Sequence, residues 1–245
     1  MKQNIHDDGS FFSGYKALRQ KDTGLNGALE MPALQAQLPH LSGLNVLDIG
    51  CGSGEFARLA RHRGAAAVTG IGVSAHMIEE ARVLTDDPCI TYRQAAIEDC
   101  VLIEDSFDLV VSSMALHYVA DYAQAVDRIY RALKLGGWLV FSVEHPICTA
   151  APIVSITDET GHMRHWPVDR YSDESMRSTR RFAGGVIKYH RTVATYVNTL
   201  LQSGFQLLHL GEPEPKSEYI ASRPELQGHL RRPPVLLLAA DKPAR

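Results

Sequence analysis

Apolar and polar positions change rhythm along this chain, and the changes mark its elements. Near the start, Phe11, Phe12, Tyr15 and Leu18 recur at helical spacing, and a second amphipathic stretch runs from about Leu25 to Leu38. At residue 45 the texture changes. Asn45-Val-Leu-Asp-Ile49 is an apolar run of strand length, Gly50-Cys-Gly-Ser-Gly54 is a turn, and Glu55 to Arg63 reads as a helix stopped by Gly64. The alternation then repeats. Ala67 to Ile71 predicts a strand, and Ser74 to about Leu84 a helix with Ser74 as its N-cap. Ile90 to Arg93 predicts a short strand, and Phe107 to Ser112 a strand that is apolar on both faces. Asp121 would cap the next helix, whose Val126, Ile129, Tyr130 and Leu133 form one apolar stripe ended by Gly136-Gly137. Trp138 to Val143 follows as a fifth strand. Continuously apolar strands alternating with amphipathic helices predict a parallel sheet covered by helices on both faces.

Residues 145–190 break this rhythm. They are rich in Pro, Asp, Arg and His with little periodicity, and a long irregular segment of this kind is expected to be a functional lid. Beyond it, Val193, Tyr196, Val197, Leu200 and Leu201 make a helical stripe stopped by Gly204, and Phe205 to Leu210 and Val235 to Ala240 read as two closing strands. The expected organisation is a single domain: an N-terminal helical cover (1–43), a core (44–144), the lid (145–190), and a C-terminal helix with closing strands (191–245).

Composition narrows the function. With 45% apolar and 22% charged residues over 245 positions, the chain has the balance of a soluble globular protein. A net charge of −3 offers no basic field for a phosphate backbone, which argues against nucleic acid. The longest apolar runs, such as Pro234 to Ala240, are too short to span a membrane, and the polar first residues lack the pattern of a signal peptide. Cys51, Cys89, Cys100 and Cys148 show neither C-x-x-C pairing nor metal spacing, and His162 and His165 lack an acidic partner, so reduced thiols, no metal and a cytoplasmic monomer or homodimer are expected.

The chemistry centres on Asp48-Ile-Gly-Cys-Gly-Ser-Gly54, between a strand and a helix. Its glycines let the backbone turn tightly and approach a ligand, and the following helix N-terminus favours a negative group such as a carboxylate. A dinucleotide fingerprint would need glycine where Glu55 stands, and a phosphate-binding P-loop would need a lysine that does not follow. The run Val46 to Gly54 resembles the first motif of the class I S-adenosylmethionine-dependent methyltransferases. Phe107-Asp-Leu-Val-Val-Ser112 and Leu133-Lys-Leu-Gly-Gly-Trp-Leu-Val140 resemble that family's fourth strand and the approach to its fifth. The resemblance implies a Rossmann-like α/β fold with a seven-stranded, mostly parallel sheet whose last strand, Val235 to Ala240, is antiparallel. It implies S-adenosylmethionine as cofactor, and methyl transfer to an O, N or C atom of a small molecule.

By that resemblance the cofactor-binding positions are Asp48, Gly50, Cys51, Gly52, Gly54, Gly72, Val73, Met77, Ala96, Ile97 and Ser112, with Tyr15 and Arg19 approaching from a front helix. Arg19 would pair with the methionine carboxylate, and His6 and Phe11 would close over the pocket. At two of these positions the chain departs from the family. An Asp or Glu usually ends the second strand where this chain has Gly72, and an Asp often follows the third where it has Ala96, unless a slipped loop presents Glu98 or Asp99. Leu135 also replaces a usual proline. Without the acids, an alternative is a protein that keeps the fold but acts as a binding module, isomerase or cyclase. His117 and His145 are the candidate catalytic residues, since each follows a strand whose carboxyl end faces the expected site and His titrates near neutrality. Phe11, Tyr118, Trp166 and His190 are candidate substrate contacts, with Tyr171 and Arg191 nearby in sequence.

Overall fold

A computed structural model describes residues 26–150, 155–181 and 183–244. A π-helical turn (Asn26–Glu30) runs into α1 (Met31–Ala36), where the sequence predicted an amphipathic stretch. The predicted helix around Phe11 to Leu18 lies outside the described residues, as do the candidates Phe11, Tyr15 and Arg19. The alternation then begins with β1 (Asn45–Ile49), α2 (Glu55–His62), β2 (Ala67–Gly72), α3 (Ala75–Val83) and β3 (Ile90–Gln94). It continues through β4 (Phe107–Ser112), α4 (Tyr122–Ala132) and β5 (Leu133–Glu144). A one-turn helix α5 (Pro146–Thr149) leads to strands β6 (Ile156–Thr157), β7 (Met163–His165), β8 (Met176–Arg181) and β9 (Ala183–Tyr189). The chain closes with α6 (Val193–Gln202), β10 (Gln206–Gly211), α7 (Ser217–Ser222), a 3-10 segment (Pro224–Leu230) and β11 (Val235–Asp241).

Seven strands form one sheet in the order β10-β11-β5-β4-β1-β2-β3. β3, β2, β1, β4 and β5 pair in parallel, and β11 runs antiparallel to both β5 and β10. This is the Rossmann-like sheet the sequence predicts, antiparallel strand included. Alternate residues of one strand point to opposite faces. Leu47 and Ile49 of β1, Val110 of β4, Phe141 and Val143 of β5 and Leu236 and Leu238 of β11 pack with Val126, Ile129, Tyr196 and Leu200 of α4 and α6. Val46, Leu109, Val111, Val140 and Leu237 pack on the other face with Leu34, Phe56, Ala57 and Ile78. A strand buried on both sides has no polar face, which is why these runs are mostly apolar rather than alternating.

The predicted side-chain caps are present: Ser74 accepts from Met77 N–H, and Asp121 from Gln124 N–H. One boundary moves. α4 ends at Ala132 rather than at the glycine pair, because fully buried Leu133 already pairs with Phe107 as the first residue of β5. Residues 145–190, expected to be irregular, contain α5 and two antiparallel ribbons, β6–β7 and β8–β9. The second ribbon hid from the hydropathy pattern because its inward positions near the end are Val186, Lys188 and His190. The alternation is present, but two of its buried members are polar. The helical turns between β10 and β11 were not predicted.

Candidate functional site

The carboxyl ends of β1, β2 and β3 lie side by side, with Ile49 level with Ile71 and Gly72 level with Gln94. The glycine turn after β1 therefore faces Gly72 to Ser74 and the loop through Ala96. Gly50, Gly52 and Gly54 have φ of +78°, +53° and +79°, in the left-handed region that glycine enters without penalty. Their surroundings differ. A Cβ on Gly50 would lie 2.4 Å from Ala115 Cβ, and one on Gly54 2.1 Å from Tyr92 Oη, whereas a Cβ on Gly52 would meet nothing within 4 Å among the described residues. Two of the glycines are thus needed for the chain to pack on itself. Gly52 is the one that leaves space. Gly54 serves as N-cap of α2 without a side-chain cap, which leaves the first amides of that helix facing the turn. Asp48 is buried at the end of β1, and burial together with the Asp48 charge pushes the neighbouring Cys51 thiol well above its ordinary value.

At Gly72 a Cβ would stand 3.6 Å from Ile78 Cδ1 and 3.7 Å from Cys51 Sγ, ordinary contacts that a side chain could accept. Val73 is partly exposed beside it, while Met77 and Ile97 are buried. The Ala96 carbonyl accepts the amides of Asp99 and Cys100 at 3.1 and 2.9 Å, so Glu98 and Asp99 belong to a closed turn that begins at Ala96.

The second rim is built by the ends of β4 and β5. Ser112 Oγ and Ser113 Oγ are buried with no hydrogen-bond partner among the described residues. Next to them Met114 takes φ +52°, uncommon for a side-chain-bearing residue. Its amide bonds to both the Oγ and the carbonyl oxygen of Ser142, at 3.0 and 3.1 Å, and the Ser142 hydroxyl donates to the buried Glu30 carboxylate. His117 is buried, its Nδ1 accepts the amide of Glu144 at 3.2 Å, and its ring lies 4.2 Å from that of Tyr118.

His145 caps α5. Its Nδ1 accepts from Ile147 N–H at 3.0 Å and its Nε2 lies 2.8 Å from Glu212 Oε1. An Nδ1 that accepts leaves the ring proton on Nε2, which donates to the carboxylate. Burial lowers the pKa of this ring, and the Glu212 carboxylate opposes the shift. The geometry gives His145 two partners from the protein itself.

Above this rim sits the β8–β9 ribbon, held at its root. Buried Lys188 pairs with Glu144, the last residue of β5. His190 Nε2 donates to the Tyr171 carbonyl at 2.8 Å, so Nδ1 accepts from Thr149 Oγ1 at 2.6 Å. Arg191 donates to the Val119 and Ala120 carbonyls at 2.6 and 2.9 Å, and its guanidinium lies over the Tyr122 ring. The structure thus gathers His117, Tyr118, His145 and His190 around the ends of β4 and β5. It places Trp166 elsewhere, beneath Arg231 and Arg232 and against Gly228. His162 is an exposed turn residue bonded to Thr160. Sequence reasoning singled out neither Glu144 with Lys188 nor Ser142 with Glu30. These partners are far apart in the chain, and no local pattern announces them.

A methyltransferase domain model matches residues 47–141. A solved S-adenosylmethionine-dependent methyltransferase from Mesorhizobium loti is 45% identical, with a TM-score of 0.82 over 89% of this chain and 100% of that one. The chain belongs to the S-adenosylmethionine-dependent methyltransferases. This methyltransferase is also 30% identical over 253 residues to a Haemophilus influenzae protein of no stated activity, covering 98% of each. It is 40% identical over 110 residues to the malonyl-[acyl-carrier protein] O-methyltransferase of Enterobacter lignolyticus, a match spanning 45% of this methyltransferase and 43% of that relative. No helix among the described residues is long and apolar enough to cross a membrane.

Proposed function

We propose that this enzyme transfers the methyl group of S-adenosylmethionine to an oxygen, nitrogen or carbon atom of a small molecule, acting as one catalytic domain. The observation that carries the reading is the open space over Gly52 together with the unpartnered buried hydroxyls of Ser112 and Ser113 on the neighbouring β4 rim. A glycine without a neighbour and hydroxyls without partners are what a polar ligand completes. In this reading Asp48, Gly50, Cys51, Gly52, Gly54 and Ser112 line the methionine side, with the amides of α2 toward its carboxylate. Val73, Met77 and Ile97 flank the adenosine, and Gly72 and Ala96 leave it without the usual carboxylates. Tyr15 and Arg19 would approach from the preceding segment.

The cofactor supplies a methyl group on a sulfonium, which is already activated for displacement. The chain's own part is alignment and exclusion of water. The β8–β9 ribbon, tied down by Lys188, His190 and Arg191, roofs the ends of β4 and β5. His117 and Tyr118 border the acceptor there, with His145 and His190 fixing the walls and Phe11 as an outer contact. Calorimetric titration with S-adenosylmethionine and S-adenosylhomocysteine tests the reading. Micromolar binding, with S-adenosylhomocysteine formed from S-adenosylmethionine on adding small acceptors, supports it. A lack of binding into the millimolar range overturns it.

A further inference from the structure

The carboxyl end of β5 carries a carboxylate that the fold only half uses. Glu144 gives its amide to His117 Nδ1, and its Oε2 takes the Lys188 ammonium. No described residue donates to its Oε1. The two partners are unequally buried: the Lys188 side chain is 3% exposed and that of Glu144 16%. The lysine is sealed under the ribbon, and the carboxylate is the more exposed member.

Burying an ammonium is costly, and an apolar side chain between Val186 and His190 would anchor the ribbon without that cost. What Lys188 provides is a charged donor that holds the Glu144 carboxylate by Oε2 and so fixes where Oε1 lies. Its neighbours cannot take over the role. His145 and His190 each engage both ring nitrogens, and Arg191 is turned to the Val119 and Ala120 carbonyls.

We propose that Glu144 holds the methyl acceptor, through a hydrogen bond from an O–H or N–H on its nucleophilic atom to Oε1, and that the acceptors are alcohols, phenols or amines rather than carboxylates. This rests on the reading of the site as a methyl-transfer site. As the lone pair of that oxygen or nitrogen bonds the methyl carbon, the carbon–sulfur bond breaks with its electrons remaining on sulfur. The acceptor proton passes to Glu144 Oε1 and from there to water. A carboxylate is a weak base, but a weak base suffices. The proton becomes far more acidic once its oxygen or nitrogen carries the extra bond. A carboxylate acceptor has no proton to give at neutral pH and would meet Glu144 as a like charge.

The test uses the full chain saturated with S-adenosylhomocysteine, titrated calorimetrically with catechol, phenethylamine and tricarballylate. Catechol or phenethylamine should bind and tricarballylate should not. Glu144→Gln, which keeps an oxygen for Lys188, should weaken that binding at least tenfold with unchanged affinity for S-adenosylhomocysteine, measured well below the melting temperature of the variant. If Glu144→Gln does not fold, Glu144→Asp serves, since its shorter side chain should weaken acceptor binding in the same direction. Methylation of the molecule that binds, read as S-adenosylhomocysteine formed from S-adenosylmethionine, should fall in step. Binding of tricarballylate in preference, equal binding by the variant, or no binding of either donor by the loaded chain overturns the assignment. Failure to bind S-adenosylhomocysteine at all instead removes the methyl-transfer reading, and this assignment with it.

Discussion

His117 Nδ1 receives the backbone amide of Glu144 across 3.2 Å, so the loop after β4 is registered against the end of β5 by a side chain. The contact also fixes which nitrogen of the neutral ring carries the proton, because a nitrogen that accepts an amide cannot also donate. The two strand ends that border the site therefore form one bonded unit, and the variants below probe what surrounds it.

The glycines of the turn should separate by phenotype. Gly50→Ala brings a Cβ to 2.4 Å from Ala115 Cβ at φ +78°, and should cost about 2–4 kcal/mol of stability. Gly52→Ala meets open space and should cost only about 1 kcal/mol, while weakening cofactor binding clearly. Thermal denaturation read beside calorimetry checks the pair. Equal loss of stability in both would contradict the distinction.

Gly72→Asp should strengthen binding. Its backbone is not in the left-handed region and its Cβ would make ordinary contacts with Ile78 and Cys51. A charged hydrogen bond to a ribose hydroxyl is worth roughly 1.5–3 kcal/mol, so S-adenosylhomocysteine should bind about tenfold or more tightly. Unchanged affinity would show that the ribose does not lie at Gly72.

Stability should fall as the solution is acidified from pH 7 toward 5. His145, His190 and His229 are each held below the ordinary value of about 6.5, in every case chiefly by burial. Glu212 opposes the shift at His145, and hydrogen bonds to the backbone oppose it at His190 and His229. Between that ordinary value and the lower folded ones, the unfolded chain binds more protons. The stabilisation is fully present above about pH 6.5 and is lost as the pH drops through the folded values. Melting temperatures across this window, with proton uptake on unfolding measured in buffers of different ionisation enthalpy, provide the check. A melting temperature that rises on acidification would refute it.

Removing one member of the Lys188–Glu144 pair should hurt more than removing the charge of both. Lys188→Met leaves a carboxylate in a dry setting and should cost about 3–5 kcal/mol. Adding Glu144→Gln should recover much of that loss. Chemical denaturation of the singles and the double tests this, and strictly additive losses would count against a coupled pair.

What could be read from the sequence was local. The strands at Asn45, Phe107 and Trp138 and the caps at Ser74 and Asp121 depend on neighbours within a turn or a strand, and they lie where expected. The β8–β9 ribbon was illegible because Lys188 and His190 occupy inward positions that a hydropathy pattern assigns to solvent. The glycine turn was located correctly, yet the demands on Gly50 and Gly54 come from Ala115 and Tyr92, far along the chain. His145 was read as a group aimed at the pocket mouth, and its place as a helix cap depends on Glu212, which arrives from the loop after β10.

The ribbon's ties to the sheet region are concentrated at Lys188, His190 and Arg191, at the junction of β9 and α6. The β8–β9 ribbon hangs from that root, while Trp166, just after β7, is held separately by Arg231, Arg232 and Gly228. In evolutionary terms the root is a socket. Substitutions farther out on the ribbon can accumulate in descendants of this chain while the glycine turn and the bonded ends of β4 and β5 stay untouched.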